Sequence, residues 1–305
     1  MIPVAASDNP PPAEFPEISV IMPVWNGANH LREAIESILH QTEKNFEFLI
    51  IDDGSTDDTV AIIGSYQDPR IRLIRQQHEG IVVALNRGVA EARADWIARM
   101  DADDIAYPER FKKQLALVRA NPGAVLCHTQ IRIVGEERYV TPAGRFIRSE
   151  GLVRLRLCYQ SPIVHPTVMF RKDAFFACGG YLADERHAED FGLWGRLVRQ
   201  GAVVGTATPL LDFRVHQGSI SKQKLDYQMS LSREIALRHC REFMRLNPAD
   251  AERAMGALTY MRSGSTLRDW WWLVLHCLPR LGKQGLELWA WALQKTVLRM
   301  VHAIR

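Results

Sequence analysis

Cysteine is scarce and scattered. The five residues (Cys127, Cys158, Cys178, Cys240 and Cys277) form no CxxC pair and show no metal-ligand spacing in a chain of 305. An odd, dispersed set of this kind fits free thiols in a reducing cytosol. Charge of one sign is also lacking. Lys and Arg number 38 against 35 Asp and Glu, a net of +3, which argues against a nucleic-acid binder working through bulk charge. No uninterrupted apolar run approaches the ~18 to 20 residues needed to span a bilayer. The N-terminus has no charged segment followed by an apolar one, so no signal peptide is expected. There is no internal repeat and no GxGxxG turn, and the second absence argues against a dinucleotide site.

The bulk composition is otherwise that of a folded protein. It is 47% hydrophobic and 24% charged, enough for a sizeable core. The length admits one large α/β domain with an appendage, or two domains. Residues 1–16, rich in proline and polar groups from Asp8 onward, read as a disordered leader.

Strand and helix signals then alternate. Ile18 to Met22 is a β-branched apolar run stopped at Pro23, and Leu31, Ala34, Ile35, Ile38 and Leu39 recur at helical spacing. Phe46 to Ile51 reads as a second strand. Thr56 to Ser65 reads as a helix with Ser55 or Thr56 as its N-cap. Ile71 to Ile74, a helix marked by Val82, Leu85, Val89 and Ala92, and Trp96 to Met100 continue the alternation. Such βαβ units imply a mostly parallel sheet, with ligands beyond the carboxyl ends of its strands. After Pro108 the pattern loosens: a helix to about Arg119, strand-like runs at Val125–His128 and Thr167–Phe170, a helix from Glu189, and a strand Leu210–Val215. The expected organisation is a catalytic domain over 17–224 and a helical region over 225–305.

Two acidic clusters sit at strand ends, Asp52-Asp53-Gly54-Ser55 and Asp101-Ala102-Asp103-Asp104. Carboxylates crowded beside glycine or alanine are poor core material. One residue between two of them lets both converge on Mg²⁺ or Mn²⁺, whose shell phosphate oxygens and water complete. The bland alternative is a solvated acidic turn. The first cluster can accept hydrogen bonds from a base or ribose, or simply cap a helix. Pro23-Val24-Trp25-Asn26-Gly27 can offer backbone groups and an aromatic face to a nucleobase.

Three blocks, ISVIMPVWNGANHLREAIESILHQT, FEFLIIDDGSTDDT and ALNRGVAEARADWIARMDADD, resemble in order and spacing the family 2 glycosyltransferases of the GT-A fold. The resemblance extends through His165 to Arg171, Ala188 to Trp194 and Phe213 to His216, and covers roughly residues 17 to 221. It implies that Pro23, Val24 and Asp53, with Asp52, hold the nucleobase and ribose of a nucleotide-diphosphate sugar. It implies that Asp101 and Asp103 form a DxD pair for metal and ribose-phosphate, with Asp104 adjacent and not ranked against Asp103. Asp190 would be the general base, and His216 a further metal or diphosphate contact. The QxxRW motif of processive members is absent after Asp190, which favours transfer of a single sugar by a hexosyltransferase-type enzyme over polymerisation.

The chemistry agrees with one separate base. An acceptor hydroxyl must lose its proton as it attacks the anomeric carbon, and a carboxylate can take it. The departing nucleoside diphosphate needs a cation. One base and one face of attack imply direct displacement with inversion, whereas two carboxylates flanking the bond would suit a glycosidase. Glu189-Asp190 also reads as the acidic first turn of a helix. His165 reads as a structural histidine ahead of an acceptor contact, and Arg171-Lys172 and Arg214 as surface charge.

The tail carries a different signal. From Arg262 to Arg305, seven Lys/Arg face two Asp/Glu, a local net of +5 that leaves about −2 elsewhere. Leu286, Trp289, Ala290, Leu293, Val297, Met300, Val301 and Ile304 fall on one helical face, and Trp270-Trp271-Trp272 lies upstream. Such a basic, aromatic helix suits an anionic membrane surface, or packing on its own domain or a second copy. The expectation is a peripheral protein on the cytoplasmic side of the membrane, meeting a glycan or lipid-linked acceptor. Two other readings stand beside it. One is a HAD-like phosphatase, disfavoured by Ile105 and by the DxD falling on the fourth strand rather than the first. The other is a non-catalytic membrane-associated binding protein with a degenerate transferase fold.

Overall fold

The structure, a computed structural model, describes residues 15–135, 141–142, 150–216, 225–259 and 271–278. The expected leader up to residue 14, the loop beyond His216 and the amphipathic face from Leu286 to Ile304 lie outside the described residues. The described residues divide into two compact units, those within Met1–Phe146 and Ile163–Lys222, and those within Ile147–Pro162 and Gln223–Arg305.

The first unit opens with the alternation the sequence predicts: β1 (Ile18–Val24), α1 (Leu31–Leu39), β2 (Phe46–Asp52), α2 (Thr59–Gly64), β3 (Ile71–Arg75), α3 (Ile81–Glu91) and β4 (Trp96–Arg99). All seven residues of β2 are buried, as a central strand covered on both faces requires. On α1 the residues Leu31, Ala34, Ile35 and Ile38 are fully buried. Each such Leu or Ile contributes about 1.5–3 kcal/mol. The strands β3, β2, β1 and β4 run parallel in that order, with Val24 opposite Asp52 and Asp52 opposite Arg75. This register brings the ends of β1, β2 and β3 to one edge.

The sheet then changes direction. β8 (Met169–Arg171) pairs antiparallel with β4 and with β6 (Ala124–Gly135), and β9 (Ala202–Val215) runs parallel to β6. β5 (Ile105–Ala106) pairs antiparallel with β9, and β7 (Thr141–Pro142) with β6. The pairing of Ile105 with Asp212 carries the second acidic cluster to the end of β9. Helices α4 (Arg110–Arg119), α6 (Lys172–Ala177) and α7 (Glu189–Leu197) accompany these strands.

Three sequence expectations shift. Helix α2 begins at Thr59, not Thr56, because Ser55 and Thr56 bond to the β1–α1 turn instead of capping. The strand expected over Thr167–Phe170 starts at Met169, after a 3₁₀ turn at His165–Thr167. Strands β6 and β9 are far longer than the apolar runs within them, with register irregularities along their pairing.

The second unit is helical. It contains α5 (Glu150–Leu157), α8 (Leu225–Met244), α9 (Pro248–Thr259) and a π-helical turn at Leu273–Cys277. Residues 150–162 group with these helices. His239 Nδ1 bonds Leu157 O at 3.0 Å, and Cys240 Sγ donates to Cys158 O at 3.2 Å. Arg253 lies over the Trp272 ring at 4.4 Å. No described helix is long and apolar enough to cross a membrane.

Candidate active site

The β1–α1 turn is strapped to the segment before α2. Asn26 N donates to Ser55 Oγ at 2.9 Å, Gly27 N to Thr59 Oγ1 at 2.9 Å and Ala28 N to Asp57 Oδ2 at 3.1 Å. Thr56 N returns a bond to Asn26 Oδ1 at 2.8 Å. Three successive amides that no strand or helix satisfies are thus held by side chains. A Cβ on Gly27 would meet Val24 Cγ2 at 2.6 Å and Ala102 Cβ at 3.8 Å, so the turn passes close over the second acidic loop.

Asp52 and Asp53 end β2 with different surroundings. Asp52 is fully buried, accepts Ser55 N at 3.1 Å, and has Arg75 Nε 3.6 Å from its other oxygen. Asp53 is held through both oxygens. Its Oδ1 accepts Gln76 Nε2 at 2.7 Å and Glu79 N at 3.0 Å, and its Oδ2 accepts Gly80 N at 2.9 Å; His78 Nδ1 bonds the Asp53 carbonyl at 3.1 Å and lies 2.9 Å from Oδ2. Three donors fix the orientation of the carboxylate. Trp25 stacks on His78, with centroids 4.4 Å apart at 24°, so Trp25, His78 and Asp53 form one wall. Pro23 and Val24 are on β1, and Asp53 N bonds Val24 O at 2.9 Å.

The second cluster surrounds Arg99. This buried arginine ends β4 and forms an ion pair with Asp101. Burial pushes the Asp101 carboxyl above its ordinary value, Arg99 opposes that rise, and Asp103 adds to it. Asp104 is buried, its Oδ1 accepts Arg214 N at 2.8 Å, and its Oδ2 has no hydrogen-bond partner. Burial, then Asp101 and Asp103, push it well up. Asp103 is the open member: its side chain is 35% exposed, and His216 Nε2 donates to its Oδ2 at 2.9 Å. Among the described residues these three carboxylates form the one group suited to a cation, with ligand atoms within 4.8 Å of one another. Three converging carboxylates, one with an orphaned buried oxygen, fit a hard divalent ion. Arg214 is not surface charge, since its Nε donates to Asp103 O at 2.9 Å and its guanidinium also pairs with Glu33. Arg171 does pair locally, with Asp173.

Asp190 stands in the first turn of α7, half-buried, accepting only Phe191 N at 2.7 Å among side-chain bonds of the described residues. Burial raises it to about 6, against the pull of the Phe191 amide and Arg99. Glu189 is buried and raised to about 7, first by burial and then by Asp190. Its Oε2 accepts His187 N at 2.6 Å. His165 Nε2 and Tyr181 OH are hydrogen-bonded at 2.7 Å, and the Trp194 ring meets His165 edge-on. Burial, and then Arg99, hold His165 well below its ordinary value. Tyr181 is fixed through its backbone by both amide atoms of Asn86, at 2.8 and 3.1 Å. Behind α7, Arg196 donates to both oxygens of Glu185 at 2.8 Å and to Gly180 O at 2.7 Å.

The structure therefore gathers Val24, Asp52 and Asp53 at one end and Asp101, Asp103, Asp104 and His216 at the other, with Asp190 sensing Arg99 and Asp101. The sequence reading missed Arg99, Gln76, His78, Tyr181, Glu185 and Arg196. Arg99 alone had a signal, a charged residue inside an apolar strand directly before the DxD.

A curled, largely parallel sheet flanked by helices, with carboxylate clusters at its strand ends, is that of the GT-A class. The sequence profile of Glycosyl transferase family 2 matches residues 19–179, and the chain belongs to that family. This removes the phosphatase alternative. An uncharacterized glycosyltransferase of Rickettsia felis is 34% identical over 210 residues, which cover 67% of this chain and 34% of that protein. The chain thus spans about a third of that relative. The O-antigen biosynthesis glycosyltransferase WbnJ of Escherichia coli is 30% identical over 243 residues, 75% of this chain and 89% of that protein. Among solved structures, S. aureus TarS 1-349 in complex with UDP-GlcNAc superposes with a TM-score of 0.62 at 15% identity, covering 90% of this chain and 79% of that one.

Proposed function

We propose that this chain is an inverting glycosyltransferase. It moves a single sugar from a nucleotide-diphosphate donor to a hydroxyl of a glycan or lipid-linked acceptor in cell-surface polysaccharide synthesis. What supports this most is Asp190, a half-buried carboxylate in the first turn of α7 that burial raises to about 6 and that is not one of the three clustered carboxylates. A base with that affinity is ionised at neutral pH yet basic enough to take a proton in the transition state. Donor and acceptor classes are supported by the UDP-GlcNAc bound in TarS and by the O-antigen role in WbnJ's name.

In this reading Pro23, Val24, Asp52 and Asp53, with Trp25 and His78, hold the nucleoside. Asp103 and Asp101, with His216, would hold Mg²⁺ or Mn²⁺, which neutralises charge on the leaving diphosphate when bound. Asp190 accepts the proton of the acceptor hydroxyl as its oxygen attacks the anomeric carbon from the face opposite the diphosphate. The carbon–oxygen bond to the diphosphate breaks as the new one forms, so configuration inverts. Arg99, between Asp101 and Asp190 in electrostatic terms, keeps the two carboxylate groups from repelling each other. A thermal-shift screen of UDP-, GDP- and dTDP-sugars with and without Mn²⁺ tests the reading. A cation-dependent shift by one donor class is expected, and none by any donor would overturn it.

The basic, tryptophan-bearing C-terminal sequence supports peripheral attachment at the cytoplasmic membrane face, with a homodimer contact as the competing use of the same segment. Flotation with anionic vesicles tests it: the full chain should float, and a chain ending before Thr266 should not.

A further inference from the structure

The β1–α1 turn touches the site at two ends. Trp25, at its start, stacks on His78 beside Asp53. His30, at its close, meets the ring of His216 with centroids 5.2 Å apart at 46°. His216 is the residue bonded to Asp103. One strapped turn therefore runs the length of the donor site, passing Ala102 at Gly27 on the way.

The charged groups near His30 are Arg214, His216, Asp103 and Glu33. All four are already matched: Arg214 to Glu33 and the Asp103 carbonyl, His216 to Asp103. The His30 imidazole is not. It occupies the N-cap of α1 without a capping bond, and among the described residues neither ring nitrogen has a hydrogen bond. Its backbone is fixed, since His30 N and Leu31 N both donate to Gly27 O at 3.2 Å, and Gly27 is itself held by Thr59. The backbone under this half-buried ring is fixed and the ring has no partner among the described residues, so its N–H can donate to a ligand.

We propose that His30 donates a hydrogen bond from its imidazole to the terminal phosphate of the donor's diphosphate. This rests on the nucleotide-sugar reading above. Phosphate oxygens match both the unpaired N–H and the flanking Arg214 and His216. The placement makes His30 a specificity element for the leaving group: it lies at the DxD end of the turn, away from the nucleoside wall, so it reads the second phosphate and not the base.

The bland competitor is that His30 only packs against His216 and steadies it. Two variants separate these. His30→Phe keeps a ring against His216 and removes both nitrogens, and His30→Asn restores a donor without the ring. The full chain is titrated with UDP, GDP, UMP and GMP in the presence of Mn²⁺. The expected result is that His30→Phe binds the preferred diphosphate about tenfold more weakly, the worth of one such hydrogen bond. Binding of the matching monophosphate should stay unchanged, and His30→Asn should recover part of the loss. Equal diphosphate affinity in His30→Phe and the unaltered chain would overturn this inference alone. An equal loss for diphosphate and monophosphate would also overturn it, since it would mean a displaced turn. If the unaltered chain bound neither UDP nor GDP, the donor reading would fall and this inference with it.

Discussion

Gly192 lies directly against the carboxylate of Glu185. A Cβ at Gly192 would overlap both carboxylate oxygens, the same two that accept Arg196. Gly192 sits two residues after Asp190, so the helix carrying the candidate base approaches Glu185 closely only because this position has no side chain. Gly192→Ala should therefore push Glu185 off Arg196 and loosen the start of α7. The expected cost is about 1–3 kcal/mol, read as a lowered midpoint in thermal melts, with activity falling further than stability.

Asp190→Asn keeps the shape of the site and removes the base. Transfer should fall by about 10²- to 10⁴-fold while nucleoside diphosphate affinity is unchanged. In the unaltered enzyme, kcat/KM should drop as pH falls through about 6, where Asp190 takes up its proton. Unaltered turnover in Asp190→Asn would remove the assignment.

Asp190 and its neighbour Glu189 burden the fold above neutral pH. Asp190 and Glu189 are raised to about 6 and about 7 from ordinary values of 3.8 and 4.5, so the folded state binds protons more readily than the unfolded one. Their contribution is most favourable below the ordinary values and is lost as pH rises through 6 and 7. Asp190→Asn and Glu189→Gln should each raise the melting temperature at pH 8 and change it little at pH 4. A gain of equal size at both pH values would contradict the cause given.

Asp103→Ala opens the DxD at its exposed member. Donor binding should lose its dependence on Mn²⁺, measured by calorimetry with and without the ion. Asp104, buried and tied to the Arg214 amide, should behave differently: Asp104→Ala should lower stability as well as binding.

Asp53→Asn replaces two acceptor oxygens with one. Glu79 N, Gly80 N and Gln76 cannot all remain satisfied, and each charge-assisted bond lost costs about 1.5–3 kcal/mol. The melt should drop, and hydrogen exchange at Glu79 and Gly80 should quicken even without donor.

The first four strands and three helices were legible because burial on both faces forces apolar runs such as Phe48 to Ile51, broken only by the polar turns. Both acidic clusters were legible for the complementary reason: charge at the end of such a run has no core role. What the sequence hid depends on pairs far apart. Asp53 carries no mark of its four partners between Gln76 and Gly80. Thr56 looks like a cap until Asn26 is known to claim its amide. Strands β6 and β9 hold polar residues such as Gln130, Arg132 and Thr206, whose strand geometry comes from pairing with each other and not from local preference.

The side-chain straps on Asn26, Gly27 and Ala28 bear on how a ligand is met. A turn that must order on binding spends conformational entropy at that moment, and affinity falls accordingly. Here the residues before α2 have already frozen the turn within the chain's own folding. A ligand arriving between Trp25 and His30 would meet a surface already set, so its contacts translate into affinity with little lost to arranging the protein.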